Sequence, residues 1–540
     1  MSKKLRVCMA QLNFLVGDIR GNLQQHISAA LTARDTLQAD VIVFSELSLT
    51  GYPPEDLLLR QSFLAECNDA LNEFKTSVTG IHSVIGHPYA HSKGLYNSCS
   101  LIYNGTVLAR FNKKYLPNYG VFDERRYFIP GEPQGVVLIH DIPVSVIICE
   151  DLWFSTPAHD AAAKGARIIL SPNASPFEIN KDAQRKNILA KRARENLLPI
   201  VYVNQVGGQD DLIFDGGSMV VDSKGVICQQ APFFTTGLTP VDFVISSTKA
   251  TVAATTITVP DEDERIYNAL VMSVQDYVHK NNFKGALIGV SGGIDSALTL
   301  AIAADALGKD NVSAIIMPSR FTAIESLTDA ALLVKNLQVA HETISIEPVF
   351  TSFLATMAPL FKDTQPDVTE ENIQSRCRGV ILMALSNKTG RIVLTCGNRS
   401  EMAVGYATLY GDMAGGFSVL KDIPKLLVYR LSKYRNQQGT VIPEAIIARA
   451  PTAELAYDQK DEDTLPPYPI LDKILELYLN QEQSVDQIVA QDFDRTTVEK
   501  IVRWIALNEY KRKQAPIGPR IDHTAFGRDR RYPVTSGFKK

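Results

Sequence analysis

An apolar run that passes directly into paired glycines and then into a helix restricts the architecture of this chain more than any other feature. Residues 285–303 read GALIGVSGGIDSALTLAIA. Ala286–Val290 reads as a short buried strand, and the segment from Ser296 to Leu307 as a buried helix. A strand that turns through glycine into a helix is the first half of a βαβ unit, which commits the region to a parallel sheet. The rhythm continues on both sides, with helix Ile266–Lys280, strand Val312–Met317 and helix Glu325–Leu337. The second part of the chain is therefore expected to be an open, parallel, doubly wound α/β sheet. Gly292 and Gly293 let the backbone approach a bulky anion, and the following helix start offers free N–H groups to it. Gly289, Val290 and Ile294 complete the turn, the Ser291 and Ser296 hydroxyls add donors, and Asp295 is a candidate magnesium ligand. No lysine follows the glycines, so the loop is not of the G-x-x-x-x-G-K-[ST] kind. The plain alternative is a glycine turn capped by serines.

The first part is organised differently. Strand candidates Leu5–Met9, Val41–Phe44, Val144–Cys149, Arg167–Leu170, Ile200–Asn204 and Ser218–Asp222 alternate with helix candidates Asn22–Leu37 and Pro157–Lys164. This mixture predicts layered α/β packing. A Ser/Thr/Ala/Val-rich stretch followed by the acidic run Asp261–Glu264 marks a linker over residues 251–262, between domains at 1–250 and 263–540. The formal charge of −4 gives no electrostatic case for nucleic acid or an anionic membrane. No run of about 18 uncharged apolar residues exists, and the N-terminus does not read as an export signal. Seven scattered cysteines without a C-x-x-C pair fit reduced thiols in a cytoplasm.

Three segments of the first part carry candidate chemistry: FSELSLTGYPPEDLL (44–58), FNKKYLPNYGVFDERRYF (111–128) and PVSVIICEDLWF (143–154). Alone, Cys149 at the end of an apolar run is an ordinary core residue. Together the segments resemble the nitrilase superfamily, whose catalytic set is Glu, Lys and Cys. That resemblance implies an αββα sandwich, with Glu46 as general base, Lys113 as oxyanion support and Cys149 as nucleophile. A thiol needs such neighbours, because at its ordinary pKa of about 8.5 it is a poor nucleophile at neutral pH. Lys113 rather than Lys114 fits the family's K-x-x-L-P spacing, and Glu124 would orient the lysine or the attacking water. Tyr119, Ser175 and Lys181 would bind glutamine.

In the second part the S-G-G-x-D-S loop resembles that of N-type ATP pyrophosphatases, which implies ATP as co-substrate and Mg²⁺ as cofactor. Segments 369–387, 393–425 and 461–472, and the C-terminal EYKRKQAPIGPR, resemble NAD synthetases. By that resemblance Asn372, Glu401 and Lys511 contact deamido-NAD, and Asp295 and Glu401 hold magnesium. Cys396 lines the adenosine pocket, and Gly411-Asp412 with Gly415-Gly416 form a mobile loop near the phosphates. The sequence departs from the family at Cys396 and Arg399, where threonine and lysine are expected. Over nearly its whole length the chain resembles glutamine-dependent NAD synthetases. The implied reaction takes deamido-NAD, ATP, glutamine and water to NAD, AMP, pyrophosphate and glutamate, in a homo-oligomer. Three alternatives stay open: the same ligase chemistry on another acceptor, an amidase carrying an inert nucleotide-binding module, and a non-catalytic interaction protein.

Overall fold

The computed structural model describes residues 3–538 apart from 134, 247–248, 256–257 and 458. The chain divides into two compact units, Met1–Asp261 and Glu262–Lys540. Of the expected linker, residues 256–257 lie outside the described residues.

Unit 1 contains strands β1 (Lys3–Gln11), β2 (Val41–Val43), β3 (His82–His91), β4 (Gly94–Tyr103), β5 (Thr106–Asn112), β6 (Val137–Ile139), β7 (Ile142–Val146), β8 (Ile168–Asn173), β9 (Ile200–Asn204), β10 (Val206–Gln209), β11 (Leu212–Asp215), β12 (Met219–Val221), β13 (Ile227–Gln230), β14 (Gly237–Ile245) and β15 (Ala250–Val252). They form a seven-stranded sheet, β15-β14-β1-β2-β3-β4-β5, a six-stranded sheet, β13-β12-β9-β8-β7-β6, and the small ribbon β10-β11. Each large sheet has a parallel trio, β1-β2-β3 or β7-β8-β9, with antiparallel strands on its flanks.

Side-chain alternation along these strands builds four layers. Leu5, Val7, Met9, Val41 and Val43 meet Val144, Val146, Ile168, Leu170 and Val201 in one core between the sheets. The opposite-facing Cys8, Ala10, Ile42 and Phe44 pack beneath helices α1 (Ile19–Asp35) and α2 (Gln61–Ser77). On the other sheet Ile169, Ile200 and Tyr202 pack beneath α3 (Ser155–Ala163) and α4 (Lys181–Asn196). The result is the expected αββα sandwich. Cutting Leu170 to alanine would cost ~2–5 kcal/mol, because a fully buried site leaves a cavity.

Unit 2 begins with α5 (Glu262–Lys280) and holds an all-parallel sheet of β16 (Ala286–Gly289), β17 (Val312–Ile316), β18 (Ala340–Thr343), β19 (Ile392–Thr395) and β20 (Phe417–Ser418). The order β18-β17-β16-β19-β20 reverses direction between β16 and β19. Helices α6 (Ile294–Leu307), α7 (Ile324–Leu337), α8 (Glu347–Met357), α9 (Val368–Thr389), α10 (Arg399–Val404) and α11 (Lys425–Gln437) connect or follow the strands. Such a reversal leaves a crevice at the carboxyl ends of the two strands, which is where ligands bind in open α/β sheets. Among the described residues no helix is long and apolar enough to cross a membrane, and all seven cysteines are free thiols.

Candidate active sites

In unit 1 the ends of separate strands converge on one buried cluster. Glu46 follows β2, Lys113 follows β5, and Cys149 opens a 3-10 turn (Cys149–Trp153) just beyond β7. Glu124 opens a second 3-10 turn, Glu124–Arg126. The Glu46 segment crosses β3 at Gly86, where an added Cβ would lie 2.4 Å from the Leu47 amide nitrogen and 2.6 Å from the Ser45 carbonyl oxygen. Only glycine admits that crossing.

Lys113 Nζ donates to Glu46 Oε1 at 2.6 Å and to Glu124 Oε1 at 2.7 Å, with all three side chains buried. The Asn97 amide donates to Glu46 Oε1 at 2.7 Å, and the Tyr52 hydroxyl donates to Glu124 Oε1 at 2.9 Å. Among the described residues Glu46 Oε2 accepts only a longer bond, 3.3 Å, from the Ala174 amide. Burial opposes the charge on Lys113, but Glu124 and Glu46 outweigh it and hold the ammonium well above its ordinary range. Burial pushes the Glu124 carboxyl up to about 7, against the pull of Lys113. Burial, with Glu46 nearby, also keeps the Cys149 thiol well above its ordinary value, although Lys113 acts in the opposite sense. Cys149 is therefore held as a neutral thiol, and any attack by its sulfur would need a base to take the proton. Cys149 has φ +42°, in the left-handed region that side chains other than glycine rarely adopt. That turn ends the apolar run early: strand β7 stops at Val146, whereas hydropathy alone extends it to Cys149.

The three expected glutamine contacts are placed as follows. The Tyr119 hydroxyl donates to both Glu150 oxygens at 3.0 Å. Lys181 Nζ lies 4.8 Å over the Trp153 ring and 3.9 Å from Glu178. Burial raises the Glu150 carboxyl, while Lys113, Tyr119 and Lys181 favour its charge. Glu150, which the sequence reading did not single out, thus has a hydroxyl and cations around it beside Cys149. The Ser175 hydroxyl accepts from Arg185 Nε at 3.1 Å, and Arg185 is paired with Asp215 at 2.7 Å.

In unit 2 the glycine loop sits at the strand-order reversal and borders a cavity of about 470 Å³. Its walls include Gly289 through Ser296, and also Asn372, Cys396, Glu401 and Lys511. Gly292 has φ +86°, and a Cβ there would meet the Ser326 carbonyl oxygen at 2.4 Å. At Gly293, which lines the cavity, a Cβ would have only Ser291 Oγ within 4 Å among the described residues, at 3.3 Å. The two loop serines bond each other, Oγ to Oγ, at 3.2 Å.

Lys425, at the start of α11, bonds Asp295 Oδ2 at 2.5 Å and Glu401 Oε1 at 3.3 Å. The Asn398 amide donates to Asp295 Oδ1 at 2.9 Å, and the Asn398 backbone N–H donates to Glu401 Oε2 at 3.3 Å. Burial raises Glu401 to about 8 despite Lys425. Burial opposes the Lys425 charge, but Asp295 and Glu401 outweigh it. Among the described residues no group of three or more His, Cys, Asp or Glu could hold a metal ion. Two hard-oxygen carboxylates facing a cavity do suit magnesium when phosphate oxygens and water complete the shell.

Asn372 Oδ1 accepts from the Thr408 hydroxyl at 2.8 Å, and Lys511 Nζ donates to the Gly405 and Ala407 carbonyls at 2.7 and 2.8 Å. Cys396 Sγ is 4.0 Å from the Gly289 carbonyl, and burial pushes its thiol up to about 12. Arg399 pairs with Asp522 at 2.7 Å and Asp422 at 3.6 Å in a buried network, and it is not part of the cavity wall. Asp412 is an anchor: its carboxylate accepts from the Thr408 amide at 2.9 and 3.1 Å, and its own amide donates to Ser375 Oγ at 2.9 Å. The sequence reading singled out neither Asn97, which lies outside the quoted segments, nor Tyr52, Asn398 and Lys425, which lie within them.

Comparison with known proteins gives two family matches: carbon-nitrogen hydrolase over residues 6–252 and NAD synthase over 266–515. The chain is 49% identical over 543 residues to the glutamine-dependent NAD(+) synthetase of Xanthomonas campestris pv. campestris (strain 8004), covering 99% of this chain and 98% of that one. It is 43% identical over 576 residues to the Thermotoga maritima protein of the same name, across the full length of both. A solved glutamine-dependent NAD+ synthetase from Acinetobacter baumannii, in complex with adenosine diphosphate, superposes with a TM-score of 0.81 at 43% identity, over 98% of each chain.

Proposed function

Because the chain belongs to the glutamine-dependent NAD(+) synthetase family, we propose that its two units divide one reaction between them. The enzyme amidates deamido-NAD to NAD at the expense of ATP, with glutamine as nitrogen donor. This is the final step of NAD biosynthesis. Unit 1 releases ammonia from glutamine. Glu46 Oε2, the less engaged oxygen, takes the Cys149 proton as the sulfur attacks the amide carbon. Lys113, fixed by two carboxylates, stabilises the oxyanion. Collapse of the intermediate returns the proton to the leaving nitrogen, and ammonia departs from a glutamyl thioester. Water, deprotonated by Glu46, then cleaves the thioester to glutamate and the free thiol. Tyr119, Glu150 and Lys181 supply charges suited to the amino-acid end of glutamine. Ser175, whose backbone and hydroxyl are held by Asn204 and Arg185, completes the glutamine contacts.

In unit 2 the turn from Gly289 to Ser296 cradles the phosphates of ATP on backbone N–H groups. Cys396 borders the adenosine, while Asn372, Glu401 and Lys511 contact deamido-NAD. The nicotinate carboxylate attacks the α-phosphorus and pyrophosphate leaves. Ammonia then attacks the acyl carbon of the adenylate, and AMP departs with its oxygen. Asp295 and Glu401 would hold Mg²⁺, which when bound supplies positive charge against the departing pyrophosphate. Lys425 pairs with both of these carboxylates.

The observation that carries this reading is the buried bridge of Lys113 to two carboxylates beside a cysteine held at positive φ. The test is a paired assay of Cys149→Ala with glutamine and with ammonium chloride. Glutamine-dependent synthesis should vanish, while synthesis from ammonium should stay within about twofold of wild type. Retained glutamine use would remove Cys149 from the mechanism.

A further inference from the structure

We infer that Asn97 is a positioning residue of the glutaminase centre: its side-chain amide fixes one oxygen of Glu46 so that the other is left to take the thiol proton. This rests on the reading of Glu46, Lys113 and Cys149 given above. Asn97 lies on β4, fully buried. Its Nδ2 donates to Glu46 Oε1 at 2.7 Å and, at 3.4 Å, to Glu124 Oε2. Its backbone carbonyl accepts from the Lys113 amide at 2.8 Å. One residue thus ties together both carboxylates and the chain position of the lysine.

The two oxygens of Glu46 are consequently unequal. Oε1 is held by Lys113 and Asn97, whereas among the described residues Oε2 meets only the Ala174 amide at 3.3 Å. A carboxylate with one oxygen pinned cannot rotate, so the proton-accepting oxygen is preset. The stability side of this arrangement is unfavourable. Asn97 Oδ1 is buried and accepts no hydrogen bond from any described group. An unsatisfied buried polar atom is costly, so the amide is retained for its Nδ2 bonds. Asn97 also spreads donor character over two carboxylates that otherwise share a single ammonium. Removing it should make Glu124 harder to keep ionised. The titratable groups around it are Glu46, Glu124, Lys113, Tyr52 and the thiols of Cys149 and Cys99.

The test uses the full chain with Asn97→Ala and the near-isosteric Asn97→Asp, each beside Cys149→Ala. Glutamine hydrolysis and ammonium-dependent synthesis are both measured. Asn97→Ala should lose on the order of 10²-fold in kcat for glutamine, with KM within about twofold. Its acid limb should move to higher pH by about half a unit or more. Asn97→Asp, which places a third carboxylate in the cluster, should lose at least as much near pH 8 at almost unchanged shape. Both should keep ammonium-dependent synthesis. A glutaminase kcat within twofold of wild type in Asn97→Ala, or an unmoved acid limb, overturns the inference. So does loss of both activities in both variants, which would make Asn97 a residue of the fold alone. If Cys149→Ala itself hydrolyses glutamine, the underlying reading fails, whatever Asn97 does.

Discussion

Lys113 makes two short bonds to two buried carboxylates while a neutral thiol waits beside them. With Glu124 raised to about 7, the cluster changes charge near neutral pH. As pH falls through that value Glu124 is protonated and loosens its hold on Lys113. The glutamine-hydrolysis rate of the wild type should therefore decline on the acid side with an apparent pKa near 7. Glu124→Gln should be slower throughout and should lack that inflection. A wild-type pH–rate profile that stays flat from 8 to 6 would refute the assignment. Glu46, Lys113 and Cys149 are legible in the sequence because each stands in a short motif of its own. Asn97 and Lys425 are not. A strand amide and a lysine at a helix start acquire meaning only when folding sets them against groups 51 and 130 residues away, Glu46 and Asp295. Ser175 shows the reverse case, a motif residue whose hydroxyl faces a buried arginine.

Among the elements, the glycine turn after β16 separates two needs that the sequence merges. Gly292 serves the fold, since its φ of +86° and the nearby Ser326 carbonyl leave no room for a Cβ. Gly293 lines the cavity and has room for a Cβ, so the fold does not demand glycine there; on the proposed reading it serves the ligand. Gly292→Ala should reduce pyrophosphate release with ammonium on the order of 10²-fold, as the loop shifts against α7. Glutamine hydrolysis measured alone should be untouched. A synthesis rate within twofold of wild type would show that the turn tolerates the strain. The strand–turn–helix reading held here because the apolar run stops where the strand stops. At β7 it did not, since Ile147 and Ile148 prolong the apolar run past the strand's end at Val146. Helix α1 likewise begins before its apolar pattern does, at Ile19, because the Asp18 carboxylate accepts from the Gly21 amide at 2.9 Å.

At the scale of the whole molecule, each unit has its own core and its own tryptophan, Trp153 in unit 1 and Trp504 in unit 2. Trp504→Phe therefore leaves a single emitter that reports unfolding of unit 1. Within that unit His26 bonds the Asn22 carbonyl at 2.7 Å and Ser48 Oγ at 2.8 Å, and its ring stacks on Phe14. Burial holds its pKa down to about 4 from 6.5. Between these values the unfolded chain takes up a proton that the folded ring refuses. The stability due to neutral His26 is thus complete above 6.5 and declines as pH falls. In the Trp504→Phe background, the cost of His26→Gln should shrink by ~1 kcal/mol between pH 7.5 and 5.5. Glu124 and Asp151, both raised by burial, titrate in the opposite sense but are common to the two proteins and cancel in the difference. A cost that does not change with pH would mean that His26 is not held neutral. The sequence places its change of rhythm near residue 255 and the compact units part at Asp261 and Glu262, whereas the detailed walls of each site depend on long-range packing.

The protonated state of Cys149 has a consequence for the working life of the enzyme. Peroxides and alkylating agents attack thiolates, and a sulfur that stays neutral until its substrate arrives offers them little. On the proposed mechanism, Cys149 is thereby shielded from oxidation while idle and exposed to it chiefly during turnover. Inactivation by hydrogen peroxide should accordingly be slow in resting enzyme and unaffected by ATP. Rapid loss of glutaminase activity in the absence of glutamine would contradict that protection.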